Sequence, residues 1–585
     1  MLSIYRIVRH RYEEAVRSEC RRRKSAALRV EAAFAHICNL FREGEFSELL
    51  QGQYGADWLQ AVASILGMLM HLSLTGPKSC VLHNGRRPGK PFSSYPTPPA
   101  VAVLAAEYVV AHTFHYTELA VIDPAMESGQ LLLAVAEAVL RRVEVPRRRA
   151  VLDKLCRDCL WGIDRNPLAT ESVSLIFQLL GGDPPRHLLI EDSLRWQAVN
   201  PRKFDAVISN PPWGERMTSL EREWLRGEFS NRRRGDTYIA FTELATRILA
   251  PGGVYALVLP AQALASENAS GLRGMISART HLTTAYVLPR HAFAPATVRA
   301  CLLRGVLREP DATAACRAVV YPFRKALSHK EPPWSTQIPL SVLCAVGADS
   351  WWPLLQGHRA RPFAGETVPL ETVAAVHLGV QVYGVGRGSP PQTRRVVQQR
   401  PYTSDAPVAG WTPAVQVSDV TRFHVAPPHR YINFGKWLAS SLRNGDLLKR
   451  RRVLVRELCR RDGTMTAAVA ANGSIAVHGV FSLVPRLISA HALAAVLNSP
   501  SVAEYVRGHA ASFAKVDFQR VTTAELRRLP IPVAAMQGPR ARRLAALARR
   551  AQYLSVKTGG VPDTLTDRIE WLVREMYDGI DGSKH

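Results

Sequence analysis

The sequence is poor in acid, poor in cysteine, and has no apolar run long enough to cross a bilayer. Its 585 residues hold 49 Asp and Glu against 75 Lys and Arg, a formal charge of +26. Such a deficit of negative charge disfavours basic partners and favours a polyanion such as nucleic acid. An Arg-rich compositional bias is the competing explanation. The nine cysteines are scattered, which suits a reducing compartment better than a disulfide framework. Cys156 and Cys159 form a lone CxxC with no second half, running into an apolar strand, and are read as structural rather than as a zinc or redox pair. The longest apolar stretch, Ala61 to Leu74, is interrupted by Ser64 and His71 and is shorter than the ~20 residues of a membrane span. It reads as a buried helix. The N-terminus carries charge throughout and lacks the apolar core of a secretory signal, so a cytoplasmic protein is expected. No internal repeat is present.

What the sequence does hold is globular: 47% hydrophobic and 21% charged residues, over a length that calls for several domains. Residues 1–90 read as a helical N-terminal module, with Ala27, Leu28, Val30, Ala32, Phe34 and Ile37 at loosely helical intervals. A Gly/Pro/Ser-rich passage from Gly85 to Pro99 follows as a linker. Over 91–330, short apolar runs alternate with helical stretches, the pattern of an α/β domain with a mostly parallel sheet. The strands are expected at 119–123, 159–163, 187–190, 205–209, 254–260, 283–288 and 300–307. A helix from Asp236 to Leu249 is expected to end at Pro251, Gly252 and Gly253. Residues 345–535 read as a second, mixed α+β domain, with strands on either side of an Asn-Gly turn at 472–473. Residues 536–585 return to helix.

The chemistry-bearing residues sit at expected strand ends. The first strand closes with Asp123-Pro124-Ala125-Met126-Glu127-Ser128-Gly129, a tight turn at the edge where open α/β sheets bind ligands. The second ends at Asp164, where an acid can accept hydrogen bonds from both hydroxyls of a ribose, and the third near Asp192. Each acid alone could be a solvated loop residue; their recurrence at three successive strand ends points to a nucleoside cofactor. After the fourth strand comes Asn210-Pro211-Pro212-Trp213. Two carbonyls, the side chain of Asn210 and the main chain of Pro211, can accept both hydrogens of a planar amine. That draws its nitrogen toward tetrahedral geometry and aims the lone pair. Prolines stiffen the loop. Trp213 offers a flat face to a base that has left its duplex, and Phe293, on a later loop, could close the other face or simply pack in the core. The basic runs Arg232-Arg233-Arg234 and Lys449-Arg450-Arg451-Arg452 read either as phosphate contacts or as solvated faces.

Together these residues resemble the amino-methylating DNA methyltransferases of the gamma arrangement, with cofactor motifs first and target recognition domain last. Thr97-Pro98-Pro99-Ala100-Val101 resembles that family's N-terminal cofactor-packing motif, Asp123 to Gly129 its DPACGSG loop, and Asn210 to Trp213 its NPPY/F/W motif. Phe293 is similar to the aromatic that stacks on the extruded adenine. Within residues 345–535, the region 370–535 resembles its DNA-binding target recognition domain, especially at Leu497-Asn498-Ser499-Pro500 and the stretch Phe513 to Pro532, and the tail Asp567 to Val573 is similar to its closing helix. The resemblance implies a class I, Rossmann-like S-adenosylmethionine-dependent fold. It implies methylation of adenine N6 in a specific duplex DNA sequence, without metal, as part of a restriction-modification or phage-defence system. Thr97, Pro98, Asp123, Pro124, Ala125, Ser128, Gly129, Asp164 and Asp192 would hold the cofactor. One departure stands out: Glu127 replaces a glycine of the family loop. A weak or inactive DNA-targeting subunit of a defence complex is therefore a competing reading, and methylation of a protein glutamine or an RNA base is another. No paired-carboxylate-and-lysine constellation suggests a nuclease, so any restriction activity would fall to a separate chain.

Overall fold

A computed structural model describes residues 7–12, 14–15, 26–43, 51, 59, 61–67, 96–113, 115–200, 202–214, 217–229, 236–289, 292–293, 299–321, 334–356, 363–440, 450–460, 463–470, 473–509 and 520–578. The chain divides into two compact units at Leu355/Gln356.

The first unit is built on the apolar runs. β1 (Val121–Asp123), β2 (Leu160–Asp164), β3 (His187–Ile190), β4 (Phe204–Ser209), β5 (Leu249–Pro260), β6 (His281–Val287), β7 (Ala300–Val306), β8 (Ala315–Val320) and β9 (Ser335–Pro339) form one sheet in the order β3-β2-β1-β4-β5-β7-β6-β8-β9. β1 to β5 are mutually parallel, β7 is antiparallel to β5 and β6, and β9 is antiparallel to β8. All three residues of β1 are buried, as a parallel strand covered on both faces requires. The helices Pro99–Ala111 and Gln130–Arg141 pack on each other and against β4, with the second also on β1. Pro99 opens the first of them, where a missing N–H costs nothing. The strand order reverses between β1 and β4, which puts a crevice at their carboxyl ends. The sheet runs on through Pro339, past residue 330.

Two local expectations change. The helix Thr237–Ile248 does not end on a glycine: Leu249 turns straight into extended backbone and β5 begins there. Leu249 pairs with Phe204 and Val254 with Ala206, so the residues between them, Pro251, Gly252 and Gly253 included, form an irregularity within β5. At the N-terminus, Ala26–Arg42 is a helix and residues 61–67 are helical and buried. Among the described residues no helix is long and apolar enough to cross a membrane.

In the second unit, Ala374–Leu378, Val480–Pro485, Arg452–Arg456 and Ala467–Ala470 form a sheet in that order. Its core is shared with the terminal helices Gly538–Thr558 and Asp563–Asp578. The expected Asn-Gly hairpin is not formed. Ala467–Ala470 pairs with Arg452–Arg456, while Ile475–Ala476 joins Thr412–Val415 in another sheet. Ala467 and Ile475 are buried in different cores, while Ala468 and Ala476 share a third. Asn498 is fully buried, accepting from the Ala467 N–H at 3.0 Å and donating to its carbonyl at 2.7 Å. It holds a helix end to this sheet. Residues 513–519 of the Phe513 to Pro532 stretch lie outside the described residues, and Pro530–Pro532 pairs with Thr367–Pro369.

Candidate active site

The carboxyl ends of β1, β2 and β4 meet through hydrogen bonds rather than by proximity alone. Asp123 is 1% exposed. Its Oδ1 accepts from the Ala125 N–H at 3.0 Å and from the Ser209 hydroxyl at 2.9 Å, which ties the end of β1 to the residue before Asn210. Burial pushes the Asp123 carboxyl up to about 7, against the pull of those two donors, and the nearby Asp164 adds to the rise. From β2, Asp164 Oδ2 accepts the Glu127 N–H at 3.1 Å and Oδ1 the Asn166 N–H at 2.8 Å. The loop from Pro124 to Gly129 is thus stretched between two strand ends. Ser193 closes it from β3's side, donating to the Pro124 carbonyl at 2.5 Å, beside Asp192, whose Oδ1 caps the next helix through the Leu194 N–H.

Two residues of the loop are left-handed. Gly129 has φ 81° at the start of the helix Gln130–Arg141, and a Cβ there would lie 2.7 Å from Val173 Cγ2. Only glycine fits both demands. Glu127, at φ 45°, occupies the position where the resembling family has glycine, so it bears a conformation that L side chains adopt at a cost. Ser128 is fully buried, and a Cβ at Gly67 would lie 2.8 Å from its Oγ and 2.9 Å from Cγ of Pro96, the neighbour of the buried Thr97. Pro98 precedes the helix that opens with Pro99.

The segment Asn210 to Trp213 leaves β4 at the same edge and is held by the start of the helix Thr237–Ile248. The Thr237 hydroxyl donates to the Pro212 carbonyl at 2.8 Å, and Gly214 N–H donates to Asp236 Oδ1 at 2.7 Å. Asp236 stands at a helix N-cap yet spends this acceptor on the loop; burial raises its carboxyl above the ordinary value despite the Gly214 bond. The sequence marks Asp236 only as the start of a helix and gives Thr237, Ser209 and Ser193 no functional reading. The one visible signal was an Asp-Thr pair opening an apolar helix 24 residues after Pro212, which reads as an ordinary cap.

Trp213 and Phe293 come together. Their ring centroids are 5.4 Å apart at 56°, and both are buried, 5% and 3% exposed. Two faces gripping a flat ring between them at van der Waals contact must stand ~7–8 Å apart, so in this conformation the rings fill the space between them.

The basic runs divide. Arg232, Arg233, Arg234 and Lys449 lie outside the described residues, and Arg450 and Arg451 are exposed. Arg452 is corrected: it is 1% exposed and donates to the Ser474 carbonyl, so it cannot touch phosphate. Other arginines are also internal. Arg273 donates to the carbonyls of Ala263, Ser266, Ala348 and Asp349, and Arg299 to those of Leu288 and Tyr321. Part of the positive charge therefore serves folding. Cys156 and Cys159 are buried, and burial raises their thiols to about 12 and about 11, so both stay protonated. Among the described residues no cluster of His, Cys, Asp and Glu could hold a metal ion.

With this geometry in view, the likenesses to known proteins agree. Residues 81–323 match the N-6 DNA methylase family, and residues 412–531 the TaqI-like C-terminal specificity domain. No curated protein matches the chain. Among solved structures, the type IIL restriction-modification enzyme MmeI in complex with DNA aligns at TM-score 0.55 and 12% identity, over 89% of this chain and 80% of that one. The DrdV-DNA complex aligns at TM-score 0.50 and 12% identity, over 92% and 65%. A type I modification subunit from Vibrio vulnificus YJ016 aligns at TM-score 0.36 and 21% identity over 48% of this chain, which spans 55% of that subunit. The mixed sheet, its loop-bearing edge and the two matches define a class I S-adenosylmethionine-dependent fold. Residues 81–323 thus carry an N-6 DNA methylase domain, followed over 412–531 by a TaqI-like specificity domain.

Proposed function

We propose that the protein transfers a methyl group from S-adenosylmethionine to the exocyclic N6 of an adenine turned out of duplex DNA at a specific sequence. The observation that carries this reading is the tethered Asn210 to Trp213 loop. It lies beside Asp123 at the strand-order reversal, with Phe293 against Trp213.

The residues suit the cofactor by the chemistry of the set. Carboxylates at the ends of β1 and β2 and just beyond β3, Asp123, Asp164 and Asp192, face a group with two hydroxyls, an ammonium and a sulfonium. Asp164 and Asp192 would hold the ribose and adenine, with Thr97, Pro98 and the loop Asp123, Pro124, Ala125, Ser128 and Gly129 holding the remainder. When bound, the cofactor supplies an electrophilic methyl group.

The chain's own work is on the base. The Asn210 side-chain carbonyl and the Pro211 main-chain carbonyl would accept the two amino hydrogens and localise the nitrogen lone pair toward the methyl group that the bound cofactor would supply. The ammonium formed on the base then loses a proton to solvent. Thr237 engages the carbonyl one residue further on, Pro212, and so fixes the loop without competing for the amine. Access for the base parts Trp213 from Phe293; the lost ring contact, ~0.5–1.5 kcal/mol, is offset by base stacking of ~1–3 kcal/mol. Bound duplex DNA, through Arg450, Arg451 and the run Arg232 to Arg234, completes the complex. A restriction nuclease on a separate chain is the partner class this role implies.

The test is nucleoside analysis of duplex DNA incubated with the protein and S-adenosylmethionine. N6-methyl-2′-deoxyadenosine is expected. N4-methylcytosine alone would refute the choice of base, and methylated protein or RNA in place of DNA would refute the substrate class.

A further inference from the structure

The methylase match ends at residue 323 and the specificity match begins at 412. Between them, Val380 to Arg400 contains four arginines, Arg387, Arg394, Arg395 and Arg400, and no Asp or Glu. This stretch is firmly built. Gln392 is 3% exposed; its amide donates to the carbonyls of Val382 and Trp437, both at 2.8 Å, and accepts the Gly384 N–H at 2.8 Å. Tyr383 stacks on Tyr402 at 5.9 Å and 11°, and its hydroxyl accepts the Tyr402 N–H at 2.8 Å.

On that base stands the short helix Arg394–Gln399, capped by the Thr393 hydroxyl and ended by Arg400 in the left-handed region at φ 50°. A helix this short has no stability of its own, so its mounting keeps it formed. Val396 and Val397 are partly buried, while Arg394, Arg395, Gln398 and Gln399 are exposed. At 3.6 residues per turn those four span about 140° of the helix, a single face. Among the described residues no carboxylate pairs with any of the four arginines.

A face kept only for solubility mixes both signs of charge. Here every outward side chain is Arg or Gln, the two types whose forked ends pair bidentately with guanine O6/N7 and adenine N6/N7 in the major groove. We propose that Arg394, Arg395, Gln398 and Gln399 form a base-reading face that enters the major groove and sets part of the methylated sequence. The inference rests on the chain acting on duplex DNA.

The test selects bound duplexes from a random-sequence pool with the full chain, and measures affinity against salt concentration. Two double variants are compared with the wild type: Gln398→Ala with Gln399→Ala, and Arg394→Lys with Arg395→Lys. The wild type is expected to enrich one motif. The Gln variant should lose preference at one or two A·T positions, with a roughly 5- to 150-fold loss on the cognate site per contact and an unchanged salt slope. The Lys variant should keep the slope, because charge is retained, and weaken preference at G·C positions, because an ammonium lacks the guanidinium's planar fork. Variants that enrich the wild-type motif unaltered, or weaken binding equally for all sequences, would overturn the proposal. If the wild type methylates adenine but enriches no motif, this inference alone fails. If it neither binds nor methylates DNA, the parent reading fails with it.

Discussion

Glu127 offers the sharpest perturbation of the cofactor loop. Its φ is 45°, and its N–H is committed to Asp164 Oδ2 at 3.1 Å. A non-glycine residue in this region carries a strain of ~1–2 kcal/mol, whereas introducing glycine loosens the unfolded chain by ~0.4–1 kcal/mol. Glu127→Gly should therefore stabilise the first unit by up to about 1 kcal/mol, a rise of roughly 2 °C in its unfolding temperature. The same change removes a carboxylate from the loop proposed above to hold the cofactor, where it would repel the methionine carboxylate by about 1 kcal/mol or fivefold in affinity at a partly exposed site. Calorimetric titration with S-adenosylmethionine and thermal unfolding report the two effects. Glu127→Gln separates them: it should recover the affinity gain and not the stability gain. If Glu127→Gly leaves the affinity unchanged and unfolds at a lower temperature, both the strain and the repulsion arguments are wrong.

Asp123 makes stability depend on pH. Its folded carboxyl titrates near 7 against an ordinary 3.8, so the fold binds the proton more tightly than the unfolded chain does. The stabilisation is full below pH ~4, declines as pH rises toward 7, and amounts to about 4 kcal/mol over that window. Asp123→Asn keeps the acceptor for Ala125 and Ser209, and urea unfolding should show its stability falling less than the wild type's between pH 4 and 7; parallel curves would contradict the assignment. Thr237→Val deletes the bond to Pro212 and should lower kcat about two- to tenfold with DNA affinity intact; a change in affinity alone would show that the bond does not position the loop. Arg450→Ala with Arg451→Ala should reduce the slope of log affinity against log salt by up to ~2, and an unchanged slope would remove both residues from the interface.

Much of the first unit was legible because buried parallel strands read as apolar runs; the run at 205–209 falls within β4, whose Ala206 to Ser209 are all buried. The loops at their ends were legible as motifs, since each is short and attached to a recognisable strand. What escaped notice depends on contacts far apart in sequence. Asp236 and Thr237 look like an ordinary helix cap, and only the fold shows them turned to Gly214 and Pro212. Arg452 looks like the end of a basic run, but it opens the strand Arg452–Arg456, whose first four residues are all buried. Glu127 was visible as a departure, but its left-handed backbone was not. The face carried by Arg394–Gln399 is too short for any periodic signal.

The central claim is best tested by transfer of tritiated methyl from S-adenosylmethionine to mixed-sequence duplex DNA, comparing the wild type with Asn210→Ala at matched cofactor and DNA occupancy. The account predicts label recovered as N6-methyladenine with the wild type and lost with the variant, while both bind cofactor and DNA alike. Undiminished labelling by Asn210→Ala, or none by a wild type that binds both ligands, would contradict it.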